Sequence, residues 1–285
     1  MTFVQAMLLA VLQGISELLP ISSLGHTVLL PPLLHWGIDE SDESFLVFVV
    51  VLHLGTALAL LVYYRDEWIR IVRALVASIV RGRFSEDRDE RVGWLLVAGT
   101  IPVGILGVLF QATVRTLFAS PIPVAVFLMI NAFVMFGGEG LRRRQHARTG
   151  REAKPIERLT WRDALLVGVS QAFALLPGIS RSGSSIVAGL LVDLDHEDAA
   201  HYAFLLATPV ILAASLLEIP KLFEPGVAIG PVEALAGCLV AGVTAYGSVA
   251  FLTRYFRHND LRPFGWYCLV AGALALVLFA TKVIS

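Results

Sequence analysis

The 285-residue chain is 56% hydrophobic and 16% charged, with a mean hydropathy of +0.75 and a formal net charge of −1. A water-soluble domain has to cover its surface with polar groups, so this composition excludes one, and apolar runs near ~20 residues mark a membrane-spanning protein. The near-zero net charge hides a strong segregation: of the 22 Lys and Arg, seven lie in Arg65–Arg91, eight in Arg142–Arg162 and three in Arg254–Arg262. No nucleic acid partner is expected from such a chain. No cationic stretch precedes the first apolar run, so Met1–Leu12 does not read as a cleaved signal peptide.

In chain order, the first segment, Phe3–Leu34, is apolar at both ends but carries Gln13, Gly14, Ser16, Glu17, Pro20, Ser22, Ser23, Gly25 and His26 in its middle. Its arms of about 10–13 residues, roughly 15–20 Å of helix, reach the membrane midplane and no further. The segment therefore reads as a re-entrant helix–loop–helix hairpin, which needs protein or a water-filled cavity around its loop. Full spans are expected at Phe45–Tyr64, Val92–Gln111 and Ile122–Leu141. Between the first two, Glu67–Arg83 sets Trp68, Ile69, Val72, Leu75 and Val76 beside Arg70 and Arg73, as in a helix lying on the interface or an ordinary solvated helix. The segment Ala164–Val192 repeats the hairpin build, with Gln171, Pro177, Gly178, Ser180, Arg181, Ser182, Gly183, Ser184 and Ser185 at its centre. Three further spans follow at Tyr202–Ile219, Val232–Leu252 and Phe264–Thr281.

Several isolated polar residues have ordinary explanations. His53, mid-span, could line the cavity but reads rather as a hydrogen-bonded packing histidine. Asp193, Asp195, Glu197 and Asp198 complement the start of the next helix. Glu218 reads as interfacial, and His35, Trp36, Trp266 and Tyr267 as interface anchors. Cys238 and Cys268 sit inside apolar runs and read as packing residues, not as a disulfide or a metal site.

The two broken segments resemble each other. A shift of 158 residues places Gln13 on Gln171, Leu18 on Leu176, Ile21 on Ile179, Ser22 on Ser180 and Gly25 on Gly183. Topology adds to the match. The positive-inside rule puts the loops at about 65–91 and 142–162 in the cytoplasm, and Arg254, Arg257 and Arg262 join them only if Ala164–Val192 turns back. Three spans separate the hairpins, so they enter from opposite faces. The expected fold is an all-α polytopic membrane protein, one domain of two inverted halves, about 1–140 and 160–285, whose broken segments meet near the midplane.

Ionisable side chains inside spans cost ~2.5–3.5 kcal/mol each on insertion scales and need a reason. Glu17, His26 and Arg181 stand in or beside the two loops. A buried Glu17–Arg181 pair that merely joins the hairpins is one reading; three features favour chemistry. Each loop starts a new half-helix after a proline, with a Ser22 or Ser23 cap in one and a Ser180 or Ser182 cap in the other, so two helix N-termini face the loop region. Gly178, Gly183, Ser180, Ser182, Ser184 and Ser185 surround one guanidinium, whose fork matches phosphate oxygens. Gln13 and Glu17 are four residues apart on one helix face, and an amide with a carboxylate can ligate a hard cation. His26 can serve as acid, base or nucleophile.

At these loops the sequence resembles the bacterial undecaprenyl-diphosphatase family, lipid-carrier phosphatases linked to bacitracin resistance. Its first motif, Glu-or-Gln, three residues, Glu, running into Pro-x-Ser-Ser-x-Gly-His, reads QGISELLPISSLGH here, Gln13 through His26. Its second, Pro-Gly-x-Ser-Arg-Ser-x-x-Thr, reads PGISRSGSS, Pro177 through Ser185; the likeness continues into FLLATP at Phe204–Pro209. Gln13 replaces the more acidic option and Ser185 replaces Thr. The resemblance implies catalytic Glu17, Ser23, His26 and Arg181. Ser22 joins them by resemblance, and the donor-rich second loop offers substrate contacts from Gly178, Ser180, Ser182, Gly183 and Ser185; the resemblance also implies a divalent cation, Mg2+ or Ca2+, for which the Gln13–Glu17 spacing offers ligands. It further implies a polyprenyl diphosphate substrate, a multi-pass place in the bacterial inner membrane, a role in peptidoglycan synthesis, and room for a homodimer. The nucleophile stays open among water, Ser23 and His26, with His26 favoured in an acid/base or nucleophilic role. A transporter or flippase is the rival from another class, since broken inverted helices are transporter architecture. The other membrane lipid-phosphatase class fails on the missing upstream Lys/Arg-Pro motif and on His196, 15 residues past Arg181.

Overall fold

A computed structural model describes residues 1–39, 42–85, 87–117, 120–150, 153–224, 227 and 229–281, and among them all regular structure is helical. The first broken segment forms α1 (Phe3–Ser16) and α2 (Ser23–Leu33), and the second forms α7 (Trp161–Ser170) and α8 (Arg181–Leu191). Between them run α3 (Glu43–Tyr63), α4 (Arg65–Arg81), α5 (Arg88–Leu117) and α6 (Pro121–Thr149); after them come α9 (His196–Glu218), α10 (Pro231–Tyr255) and α11 (Arg262–Ala280). Six helices, α3, α5, α6, α9, α10 and α11, are long and apolar enough to cross a bilayer. They match the six predicted spans, and most run on at one or both ends. Hydropathy marks only the stretch suited to hydrocarbon, whereas α6 continues through Arg142, Arg143 and Arg144, which are good helix formers.

The four arms of the broken segments hold 14, 11, 10 and 11 residues, about 15–21 Å each at the helical rise. Their breaks follow from local chemistry. Beyond α1 the proline at 20 removes a donor, and beyond α7 a short 3-10 stretch, Gln171–Leu175, runs into Pro177 and Gly178. Each second arm then starts on a serine cap: Gly25 N–H donates to Ser22 Oγ at 3.2 Å, and Gly183 N–H to Ser180 Oγ at 3.1 Å.

Each first arm packs tightly on a long helix from the other part of the chain, α1 on α10 and α7 on α5. Missing side chains make this possible. A Cβ on Gly14 would stand 2.4 Å from the Ala241 carbonyl oxygen, and one on Gly168 would stand 2.3 Å from that of Gly99. The largest core gathers around α9, where Tyr202 and Phe204 are buried and the Tyr202 hydroxyl donates to the Leu95 carbonyl at 3.1 Å. Asp195 caps α9 through the Asp198 N–H at 2.7 Å, the role expected of that acidic cluster. The amphipathic stretch is α4. It buries Ile71 against α5 and leaves Val72, Val76, Ile79 and Val80 exposed, the face a helix on the membrane surface would give to lipid.

Candidate active site

The two loops meet. Gly178 N–H donates to Ser22 Oγ at 3.2 Å, and Ser182 Oγ donates to the Leu19 carbonyl at 3.1 Å. Gly25 and Gly178 face each other so closely that a Cβ on Gly25 would lie 3.0 Å from Gly178 Cα. Gly178 takes φ +111°, which an L side chain rarely adopts, and it also abuts the Val124 carbonyl of α6. Ser22 holds φ 68° without being glycine, a strained backbone kept in place by the two N–H groups on its hydroxyl. A third helix fastens the junction: buried Asn131 of α6 donates Nδ2–H to the Pro20 carbonyl at 3.0 Å and accepts the Ser180 N–H at 3.1 Å.

Across this junction stands an ion pair. Arg181, the first residue of α8, donates Nη2–H to Glu17 Oε1 at 3.0 Å. Glu17 Oε2 receives Ser23 Oγ–H at 2.5 Å, Gln13 Nε2–H at 2.9 Å, and lies 3.2 Å from His53 Nε2. Four side chains thus converge on one carboxylate, which is what burial of its charge requires. Arg181 Nη1 is buried and meets no partner among the described residues. A guanidinium N–H of this kind can donate to an acceptor such as a phosphate oxygen.

These groups form the polar end of a cavity of about 330 Å³. Glu17, Ser22, Ser23, His53, Ser180 and Arg181 line that end, and Leu46, Val49 and Val50 of α3, Val103 of α5 and Val210 and Ile211 of α9 form an apolar wall. A charged tip joined to an apolar slot suits an amphiphile with an anionic head.

The structure therefore gathers Glu17, Ser22, Ser23, Ser180 and Arg181 as the sequence anticipated. It places the other expected groups elsewhere. Ser182 bonds the first loop, and Ser185 Oγ donates to the Arg181 carbonyl at 2.8 Å, because on α8 these positions turn toward protein while Arg181 alone turns to the cavity. Gly178 and Gly183 lie in the junction and not on the cavity wall. His26 also stands off that wall: its Nδ1 faces the Ser22 carbonyl at 2.7 Å and its Nε2 the Tyr267 hydroxyl at 2.7 Å, with the two rings stacked. The carbonyl must accept, so Nδ1 carries the proton and the tyrosine donates to Nε2. Tyr267, expected only as an anchor, thereby seals His26. In its place comes His53, for which the sequence put a cavity-lining role second to packing. Its Nδ1 faces the Val49 carbonyl at 2.7 Å and its Nε2 the Glu17 carboxylate, so both nitrogens meet acceptors and one proton is held between Nε2 and Oε2. Asn131 was missed altogether. Neither residue has a sequence neighbour to advertise it.

For a divalent cation, the described residues gather no group of three or more His, Cys, Asp or Glu. Glu17 is one hard oxygen ligand, and Gln13 has a buried Oε1 with no partner among the described residues; turning the amide over would present that oxygen beside Glu17. Two ligands of this kind fit an ion that takes most of its shell from the substrate's phosphates and water, the usual habit of Mg2+.

Comparison with known proteins fits this geometry. Residues 6–274 match the family model described as Bacitracin resistance protein BacA. The chain belongs to that family. It is 48% identical to the undecaprenyl-diphosphatase of Acidiphilium cryptum, with 98% of each chain covered. It is 44% identical to the undecaprenyl-diphosphatase of Mycobacterium avium, with 99% of each covered. Against undecaprenyl-diphosphatase 2 of Chromobacterium violaceum the identity is 44%, over 97% of this chain and 99% of the relative.

Proposed function

We propose that the protein is an undecaprenyl-diphosphate phosphatase: it hydrolyses undecaprenyl diphosphate to undecaprenyl phosphate and inorganic phosphate, returning the lipid carrier to cell-wall synthesis. The observation that carries this reading is Arg181, whose Nη1 meets no partner among the described residues, at the polar end of an apolar-walled cavity. The diphosphate docks on Arg181 and the α8 N-terminus, while the first isoprene units lie against Val49, Val103 and Val210. Ser23 is the group best placed to attack, because its hydroxyl already donates to Glu17 at 2.5 Å. Its oxygen bonds to the terminal phosphorus, its proton passes to Glu17, and the bond from that phosphorus to the bridging oxygen breaks, releasing polyprenyl phosphate. Water then attacks the phosphoserine phosphorus, Glu17 returns the proton to the Ser23 oxygen as the Ser23 O–P bond breaks, and inorganic phosphate leaves with both water hydrogens. Arg181 stabilises charge on the phosphoryl oxygens throughout. His26, through the Ser22 carbonyl, fixes the strained backbone that aims Ser23. Glu17 and Gln13 are the residues that would hold a divalent cation, which when bound neutralises phosphate charge.

The same reading includes the inverted-repeat architecture, with both broken segments re-entrant from opposite faces and the arginine-rich loops in the cytoplasm of a bacterial inner membrane. The crossed packing of α1 on α10 and α7 on α5, and the matching serine caps, support it. The test is phosphate release from undecaprenyl diphosphate by the purified protein in detergent, with and without chelator. Release by wild type, suppressed by chelator and lost in Arg181→Ala, is expected. A wild type that moves the lipid between leaflets but releases no phosphate would return the rival transporter reading.

A further inference from the structure

We infer that His53 is a positioning residue for the phosphoryl-transfer step, holding the Glu17 carboxylate toward Ser23 and away from full capture by Arg181. The inference rests on the phosphatase reading above. Glu17 is pulled from two sides. Arg181 holds Oε1 at 3.0 Å, and a guanidinium fork prefers to take both oxygens of a carboxylate. Such a bidentate pair would turn Oε2 away from Ser23, whose hydroxyl needs it as proton acceptor, and would tie up the Arg181 donor that phosphate needs. His53 Nε2, 3.2 Å from Oε2, opposes that rotation. It does so from a rigid mount: α3 is a 21-residue helix, and the Val49 carbonyl on the preceding turn fixes the ring through Nδ1 at 2.7 Å. The Gln13 amide also reaches Oε2, but it comes from Glu17's own helix and moves with it. Apart from Ser23, the group that reacts, His53 is the partner of Oε2 among the described residues that stands on a separate helix. It lines the same cavity as Glu17 and Arg181, whereas the motif histidine, His26, does not.

The geometry gives an isosteric test. The amide nitrogen of glutamine reaches about where imidazole Nε2 stands, whereas that of asparagine stops near Nδ1. His53→Gln therefore keeps the bond to Glu17, His53→Asn keeps only the bond to Val49, and His53→Leu keeps neither. With phosphate release from undecaprenyl diphosphate as the assay, His53→Asn and His53→Leu are expected to lose about a hundredfold in kcat, the usual cost of a slightly misplaced group. KM should stay within about threefold, since Arg181 and the α8 terminus still hold the head group. His53→Gln should recover to within about fivefold of the wild-type kcat. Equal, near wild-type kcat in all three variants would overturn the assignment, and so would equal loss in all three, which would mean the ring itself is needed. A wild type that releases no phosphate would sink the phosphatase reading instead. Thermal unfolding then decides on His53: Tm losses of Glu17→Gln and His53→Leu that fail to add in the double variant support the contact, and additive losses refute it.

Discussion

The two loops share a frame and differ in cargo. In both, a serine caps the second arm by accepting the N–H of a glycine three residues on, at 3.2 Å in one and 3.1 Å in the other. Yet Ser180 sits in relaxed extended backbone at φ −81°, whereas Ser22 is held at φ 68°. The first loop carries a carboxylate and the second a guanidinium. On the proposed reading, the two loops become one site by carrying opposite charges, with the strained backbone confined to the loop that holds Ser23.

The sharpest way to break that comparison is through the charges. Arg181→Gln and Glu17→Gln should each lower kcat/KM by about 10²–10³ or more, as loss of one transition-state donor or of the base does, measured by phosphate release. Each should also destabilise the fold by about 3–5 kcal/mol, because it leaves a buried charge unpaired. The double variant should be just as inactive but more stable than either single, which unfolding in detergent will read out. Next comes the seam. Gly178→Ala puts a Cβ 2.5 Å from the Val124 carbonyl oxygen at a φ of +111°, at a cost of about 3 kcal/mol from strain and overpacking together. Asn131→Leu removes partners from the Pro20 carbonyl and the Ser180 N–H at once, for about 2 kcal/mol or more. Smallest is the pair of caps. Ser180→Ala should cost about 1 kcal/mol, as a lost N-cap does. Ser22→Ala should cost more, because its hydroxyl serves Gly25 and Gly178 together, and it should also cut kcat through Ser23. Equal effects on kcat from the two caps would erase the asymmetry between the loops.

Much of this was readable in the sequence, for definite reasons. Long apolar runs announce spans because hydrocarbon tolerates little else, and Pro20, Pro177 and the serines announce breaks because they remove or satisfy helix donors. Glu17 and Arg181 were conspicuous because a charge in that setting has to be answered. Asn131 was not, and for His53 a cavity-lining role was only the lesser alternative to packing. Each is a single polar residue in an apolar helix, and its meaning lies in a partner 36 residues earlier for His53, and 111 earlier and 49 later for Asn131. Ser182 and Ser185 were misplaced for a related reason. Composition reveals a hydroxyl-rich turn, but only the rotation of α8 decides which hydroxyl faces the cavity and which faces the neighbouring loop.

The bare contact of Gly25 with Gly178 carries one more consequence. In an inverted repeat of the kind proposed above, motion of one half against the other would need a seam that can slide. Here the midline is main chain against main chain, riveted by Asn131 and by the Ser22 hydroxyl. On the proposed inverted-repeat reading, sliding one loop against the other would part Glu17 from Arg181, so the seam is built to hold that pair together.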